Sequence, residues 1–218
     1  AEKHGIDIAK VTGTGPDGRI VKEDILREVE KKQIEPIKIA ETRELSVLRK
    51  VIAERLSQSH LAAVHVTITT SADMTKLIQS RERLGSLVEN ETGTKLSYTD
   101  IMTRIVALVL KEFPMLNSTL EDDKIKIFAD INIGVAVALE DSLIVPVVHN
   151  ADNKTLGEIT LTLKEKVDKA RRQELTVDDV TGGTFTISNL GIYDVEVFTP
   201  IINPPQCALL GIGKMLRK

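Results

Sequence analysis

The sequence predicts an α/β domain preceded by a very small helical module, and three observations carry that reading. Apolar residues recur at helical spacing through 97–109 and again through 155–167. Between them lie two nearly unbroken apolar runs, 131–139 and 143–148, the pattern of strands buried on both faces. The first 30 residues differ in kind: a loop with three glycines and Pro16, then one short apolar stripe.

Taken in order, residues 1–4 read as the tail of a helix stopped by Gly5, and Asp7 can cap a short turn reaching Val11. Residues 12–18 form a loop. Val21, Ile25 and Val29 fall at i, i+4 and i+8 with Leu26 beside them, one stripe on a helix of about three turns. A module of residues 1–30 buries little and should be marginal alone. Residues 31–43 carry charge, one proline and no helical stripe, and read as a linker. From 44 to 218 helix and strand alternate. Ser46 can cap a helix carrying Leu48, Val51, Ile52 and Leu56. Val64, Val66, Ile68 and Thr70 alternate with polar residues, as in a half-buried strand. Asp73 can cap a helix through Leu77, Arg81, Leu84 and Val88. Ser97 and Asp100 make a capping-box start for a helix with Ile101, Ile105, Leu108 and Val109, and Pro114 lies beyond its end. Ile125 and Ile127 open a strand region, and Glu140-Asp141-Ser142 turns the first apolar run into the second. Thr155 and Glu158 form another capping box, followed by Leu156, Ile159, Leu163 and Val167. Residues 185–187 and 207–212 read as the last strands.

Composition narrows the function. Hydrophobic residues at 42% suffice for a core, yet aromatics are 3% and Trp is absent, so aliphatic side chains must fill it. A net charge of -3 with both signs interspersed argues against a nucleic-acid coat protein. No apolar run approaches the ~20 residues of a membrane span. The single cysteine, Cys207, excludes an intrachain disulfide and fits a reducing compartment. In an apolar strand it should pack as a small hydrophobe. Asn117-Ser118-Thr119 fits the glycosylation sequon and, with no secretory signal, reads as a chance match. No metal site is expected.

Gly13-Thr14-Gly15-Pro16-Asp17-Gly18 fits the dinucleotide fingerprint in letters only. Too little chain precedes it for the required strand, and Pro16 breaks the helix start that would cradle pyrophosphate. A tight structural loop accounts for it better. In full, Glu2-Lys3-His4-Gly5-Ile6-Asp7 and Val11-Thr12-Gly13-Thr14-Gly15-Pro16-Asp17-Gly18-Arg19-Ile20-Val21-Lys22-Glu23-Asp24-Ile25 resemble the peripheral subunit-binding domain of 2-oxo acid dehydrogenase complexes. The resemblance implies that basic side chains grip the decarboxylase component or dihydrolipoamide dehydrogenase. By position Arg19 and Lys22 are the candidates, with Lys10 behind them. Ordinary solvated charges are the plain alternative.

Further motifs follow in order: Arg49-Lys50-x-Ile52-Ala53-x-Arg55-Leu56, Ser97-Tyr98-Thr99-Asp100, Lys111-Glu112-Phe113-Pro114-x-Leu116-Asn117, Asn132-Ile133-Gly134-Val135-Ala136-Val137-Ala138 and Val145-Pro146-Val147-Val148. Gly182-Gly183-Thr184-Phe185-Thr186-Ile187-Ser188-Asn189-Leu190-Gly191, Phe198-Thr199-Pro200-Ile201-Ile202-Asn203-Pro204-Pro205 and Leu210-Gly211-Ile212-Gly213 complete the set. Together they resemble the catalytic domain of the dihydrolipoamide acyltransferases. That resemblance implies a chloramphenicol-acetyltransferase-like fold with a mixed sheet and flanking helices. It implies transfer of an acyl group from a lipoyl thioester to coenzyme A, an EC 2.3.1 type of reaction. The lipoyl group would ride on a lipoyl domain that these residues do not include. It also implies homotrimers that assemble into a larger core, in the cytoplasm or, in a eukaryote, the mitochondrial matrix.

Attack by a thiol on a thioester needs a base for the thiol and a donor for the developing oxyanion. The resemblance assigns the donor to the Ser188 hydroxyl, and it assigns basic residues at positions like Arg81 and Arg104 to the cofactor. Arg104 also stands out by spacing, three residues after Ile101 and four before Leu108, where a charge wants a partner or a ligand. A structural ion pair is the competing account. In the family the base comes from a His-x-x-x-Asp-Gly motif of a neighbouring subunit. None of His4, His60, His65 and His149 has that spacing, although the family often has a histidine near the channel where His65 stands. The expectation is that this chain transfers acyl groups little or not at all by itself, with Lys218 a truncation point. A non-catalytic assembly scaffold of the same complex is the alternative. Acetyl, succinyl and branched-chain enzymes share these motifs, so the acyl group stays open.

Overall fold

Residues 7–33, 38–139 and 142–217 are described by the computed structural model. The chain divides into two units, Ala1–Glu44 and Leu45–Lys218. The expected helix tail at 1–4, with His4, lies outside the described residues.

In the first unit, 3-10 turns at Ile8–Lys10 and Pro16–Gly18 precede helix α1, Lys22–Gln33. Asp7 caps the first turn by accepting from the Ala9 N–H at 3.2 Å. The buried centre is a carboxylate. Asp24, 3% exposed, accepts from the Thr14 N–H (2.9 Å), the Thr14 hydroxyl (2.7 Å) and the Val21 N–H (3.0 Å). These donors, the Thr14 backbone first, hold its carboxyl below the usual range. Val21, Ile25 and Val29 are half-buried while Leu26 is exposed. The glycines of the loop serve close backbone approach. A Cβ on Gly13 would stand 2.4 Å from the Gly18 carbonyl oxygen, and one on Gly15 2.8 Å from that of Arg19. Helix α1 runs to Gln33, three residues into the expected linker, because Lys31, Lys32 and Gln33 are good helix formers.

The second unit layers helices on a mixed sheet. Among the described residues, helices α2 (Val47–Ala62), α3 (Thr75–Thr92) and α4 (Tyr98–Glu112) precede six of eight short strands, and α5 (Leu156–Arg171) and α6 (Val177–Val180) lie between the sixth and the seventh. Strands β3 (Ile133–Val135), β6 (Val147–Val148), β7 (Phe185–Asn189) and β8 (Leu209–Ile212) form one sheet in the order β6-β3-β7-β8. In it β3 runs antiparallel to β6 and parallel to β7, and β7 parallel to β8. Val106, Ala107 and Leu110 of α4 with Ile159 and Leu163 of α5 pack on Ile133, Val135, Val148, Phe185 and Ile187. Each such aliphatic side chain taken out of water contributes roughly 1.5–3 kcal/mol. The capping boxes at Ser97/Asp100 and Thr155/Glu158 form as the spacing predicts.

Several expectations need correction. Residues 64–70 form no strand, and Val64, Val66 and Ile68 are 94%, 81% and 89% exposed. Their alternation is that of a strand, but a strand needs a hydrogen-bonded neighbour, and none pairs with them among the described residues. The run 131–139 serves two sheets. Its first part is β3; its second, β4 (Val137–Ala138), leaves the large sheet to pair with β5 (Leu143–Ile144) and is not buried on both faces. Helix α3 has Met74 at its N-cap, while Asp73 accepts from the Thr75 N–H and hydroxyl. Cys207 is exposed and precedes β8, its sulfur 3.4 Å from the carbonyl oxygens of Met115 and Leu116. The hairpin β1 (Ser118–Glu121) and β2 (Lys124–Ile127) turns at Asp122 and Asp123, both at positive φ as a two-residue hairpin turn requires. Asn117 of the sequon is buried and donates to the carbonyls of Phe128 and Asp130.

Candidate active site

Strand β7 owes its position to side-chain hydrogen bonds at its start. Asn132 receives the Thr184 N–H on its carbonyl at 2.8 Å and donates its own N–H to the Thr184 hydroxyl at 3.0 Å. Its amide also donates to the Gly182 carbonyl at 2.8 Å. Gln206, buried, accepts from the Thr186 hydroxyl (2.7 Å) and donates to the Gly183 carbonyl (3.1 Å). The motifs include Asn132, but the sequence assigns a role neither to it nor to Gln206. The available signal was a polar amide among apolar neighbours, which must find partners if buried.

Side chains alternate along a strand, so Phe185 and Ile187 enter the core while Thr186 and Ser188 take the opposite face. On β8 the core face carries Leu210 and Ile212. Leu209 and Gly211, on the opposite face, line a cleft of about 290 Å³ together with His65, Phe198, Ile202 and Cys207. Ser188 pairs directly with Gly211 in the parallel register and shares its face. It is half-buried, and no hydrogen bond uses its hydroxyl among the described residues. Gly211 leaves the neighbouring position without a side chain; a Cβ there would meet Phe198 at 3.1 Å.

Neither His60, His65 nor His149 hydrogen-bonds to Ser188. His65 lines the cleft with both ring nitrogens engaged. The Ile202 N–H donates to Nε2 at 3.1 Å, so Nδ1 carries the proton and donates to the Ala63 carbonyl at 3.0 Å. Its ring centroid lies 5.5 Å from that of exposed His60. His149 sits 3.0 Å from the Asp178 carbonyl oxygen through Nε2.

The arginines lie in the helical layer. Arg81 of α3 donates from Nε to the Leu96 carbonyl at 3.0 Å and stacks over Tyr98 at 4.7 Å. Arg104 of α4 donates from Nη1 to the carbonyls of Ala151 (3.3 Å) and Asp152 (2.8 Å). Near Arg81, burial pushes the Asp100 carboxyl up, against the pull of its Ser97 N–H bond and of the guanidinium. Helix α4 covers the core face of the sheet, whereas Ser188 is on the other face, so the chain does not bring Arg81 and Arg104 directly to Ser188. In the first unit Arg19 and Lys22 are exposed, and Lys10 stands 3.9 Å from Asp7. Among the described residues no cluster of His, Cys, Asp and Glu could hold a metal ion, and no helix is long and apolar enough to cross a membrane.

Residues 38–218 match the family model described as 2-oxoacid dehydrogenases acyltransferase (catalytic domain), and residues 1–26 match that of the e3 binding domain. The dihydrolipoyllysine-residue acetyltransferase component of the acetoin cleaving system of Bacillus subtilis is 41% identical, over 98% of this chain and 55% of its own length. The lipoamide acyltransferase component of the branched-chain alpha-keto acid dehydrogenase complex of the same organism is 34% identical, over 100% of this chain and 58% of its own. The chain thus spans about half the length of these curated relatives. Among solved structures, a probable dihydrolipoamide acetyltransferase from Listeria monocytogenes superposes with a TM-score of 0.78 at 36% identity, covering 82% of this chain and 76% of that one. The cubic core of a pyruvate dehydrogenase multienzyme complex gives 0.77 at 35% identity, covering 83% and 77%.

Proposed function

Because the chain belongs to the 2-oxoacid dehydrogenase acyltransferase family, we propose that it is the acyltransferase core of a 2-oxo acid dehydrogenase complex. The reaction moves an acyl group from a lipoyl thioester to coenzyme A. The thiolate sulfur of coenzyme A attacks the thioester carbonyl, and the carbonyl oxygen gains negative charge. Collapse breaks the bond to the dihydrolipoyl sulfur, which leaves and takes a proton. Ser188 donates its hydroxyl to the oxyanion. The observation that supports this most is the hydroxyl left unused among the described residues, set on a strand beside Gly211 on the sheet face where that glycine lines the cleft, because a donor already committed elsewhere could not answer a new charge.

Arg81 and Arg104 bind the phosphates of coenzyme A through guanidinium nitrogens that their carbonyl contacts leave over, Nη1 and Nη2 of Arg81 and Nε and Nη2 of Arg104. Because they lie behind the sheet from Ser188, they reach a shared cofactor past the end of β7 or from a neighbouring copy. The chain forms homotrimers that join into a larger core. The first unit docks the decarboxylase component or dihydrolipoamide dehydrogenase through Arg19 and Lys22, and Lys10, already near Asp7, contributes less. The acyl donor arrives on a lipoyl domain.

The 218 residues contain no His-x-x-x-Asp-Gly, and the cleft histidine His65 has its lone pair occupied by the Ile202 N–H. That occupation favours the scaffold reading for this polypeptide taken alone. Acyl transfer from S-acyl dihydrolipoamide to coenzyme A by the 218-residue chain should stay near background, while sedimentation reports three copies, or a multiple of three, per particle. Robust turnover would place the base within these residues and overturn that part of the account.

A further inference from the structure

The residue after Ser188 is held more firmly than Ser188 itself. Asn189 closes β7 on the core face, where its Nδ2 donates to the Thr99 hydroxyl in the first turn of α4 at 3.2 Å. Its Oδ1 accepts from the Gly191 N–H at 2.9 Å as the chain leaves the strand for the 3-10 turn Gly191–Tyr193. The Thr99 turn is itself fixed: Ser97 and Asp100 cap α4 reciprocally, with bonds of 3.1 and 2.7 Å. On the other side, Asn189 pairs with Ile212, and the Leu190 N–H donates to the Ile212 carbonyl at 3.0 Å. A single side chain therefore pins the end of β7 to the helical layer and to the loop that follows.

We propose that Asn189 is a positioning residue for acyl transfer, holding the β7 backbone so that the Ser188 hydroxyl on the opposite face stays aimed at the oxyanion. The proposal rests on Ser188 being the oxyanion donor. The geometry supports it through alternation: adjacent strand residues point to opposite faces, so whatever fixes the Asn189 side chain against α4 fixes the direction of its neighbour. Amide and hydroxyl are suited to the task, because Asn carries a donor nitrogen and an acceptor oxygen on one rigid group, and here Nδ2 donates once and Oδ1 accepts once. With the Asn189 side chain released from α4, a rotation at the strand end would swing Ser188 off the reacting carbonyl, and misplacement by about 1 Å can cost 10²-fold in rate.

The test is a double-mutant cycle in an active polypeptide, these 218 residues followed by a segment that supplies His-x-x-x-Asp-Gly. Asn189→Ala should lower kcat roughly 10–100-fold with KM for coenzyme A little changed. Added to Ser188→Ala it should cause almost no further loss, since a residue that acts through Ser188 has nothing left to position. Thr99→Val removes the same bond from the other side and should reproduce the fall in kcat, while Thr99→Ser, which keeps the hydroxyl, should restore it. This pair carries the test if Asn189→Ala does not fold. Losses that multiply in the double mutant, or Thr99→Ser as slow as Thr99→Val, would overturn the positioning role and leave Ser188 in place. An unchanged rate in Ser188→Ala alone would instead remove the reading on which the proposal stands.

Discussion

A hydroxyl near the start or middle of a strand usually finds a carbonyl or a side chain, and around β7 Thr184 and Thr186 both do, with Asn132 and Gln206. Ser188 does not among the described residues, and that difference bears on stability as well as chemistry. Thr186→Val leaves the buried Gln206 Oε1 without its donor and should cost about 1–3 kcal/mol in denaturant unfolding. Ser188→Ala removes no bond and should stay within about 0.5 kcal/mol of the parent. A large destabilisation by Ser188→Ala would mean that the hydroxyl has a structural partner after all. At this scale the sequence was only partly legible. A strand serine beside Asn and Gly reads alone as a turn-former, and only the longer run of motif residues singles it out. The spacing marks Arg104 as a charge that wants a partner or a ligand, and the partners it meets are the backbone carbonyls of Ala151 and Asp152, which no side-chain pattern encodes. Cys207 was misplaced because an apolar run looks the same inside a strand and just before one.

Helices α4 and α5 were legible because a capping box is a local signal, satisfied within four residues. Helix α6 was not, although Thr176 and Asp179 make the same box, since four residues carry no apolar period. Its anchor is long-range: Asp179 pairs with Lys166 of α5, with both side chains nearly buried. The Lys166 ammonium, then the Thr176 N–H, holds the Asp179 carboxyl far below the usual range. A depressed folded value means that Asp179 adds stability above its unfolded value of about 4 and loses it as pH falls toward the folded one. Asp179→Asn should therefore cost roughly 3 kcal/mol at pH 7 by leaving Lys166 unpaired, and the cost should shrink in acid. Denaturant midpoints between pH 7 and pH 3 check both the size and the slope. Asp100, raised by burial, works with the opposite sign: its contribution is fullest in acid and is lost as pH rises through the folded value. The segment 64–70 was misread for a different reason. Val64, Val66 and Ile68 have the right period, but the sequence does not say which backbone would pair with them.

The whole molecule combines two units that solve the problem of size differently. The larger one fills a core with aliphatic side chains, as expected from a chain without Trp. The smaller one centres on a carboxylate bound by three donors of its own loop, a device that periodicity cannot reveal. Asp24→Ala should melt residues 7–33 while leaving amide protection in α4, α5 and the four-stranded sheet unchanged; loss of protection in both units together would contradict their division. The three exposed side chains at 64–68 are the kind of surface that an assembly covers, in keeping with the proposed trimer. In the proposed function this chain contributes the oxyanion donor of an acyltransferase, and the base comes from a residue that is not among these 218. The most direct measurement is kcat for acyl transfer to coenzyme A, with and without Ser188→Ala, in the polypeptide that also carries His-x-x-x-Asp-Gly. A fall of about 10²–10³ with an intact fold is the predicted result, and an unchanged kcat would contradict it.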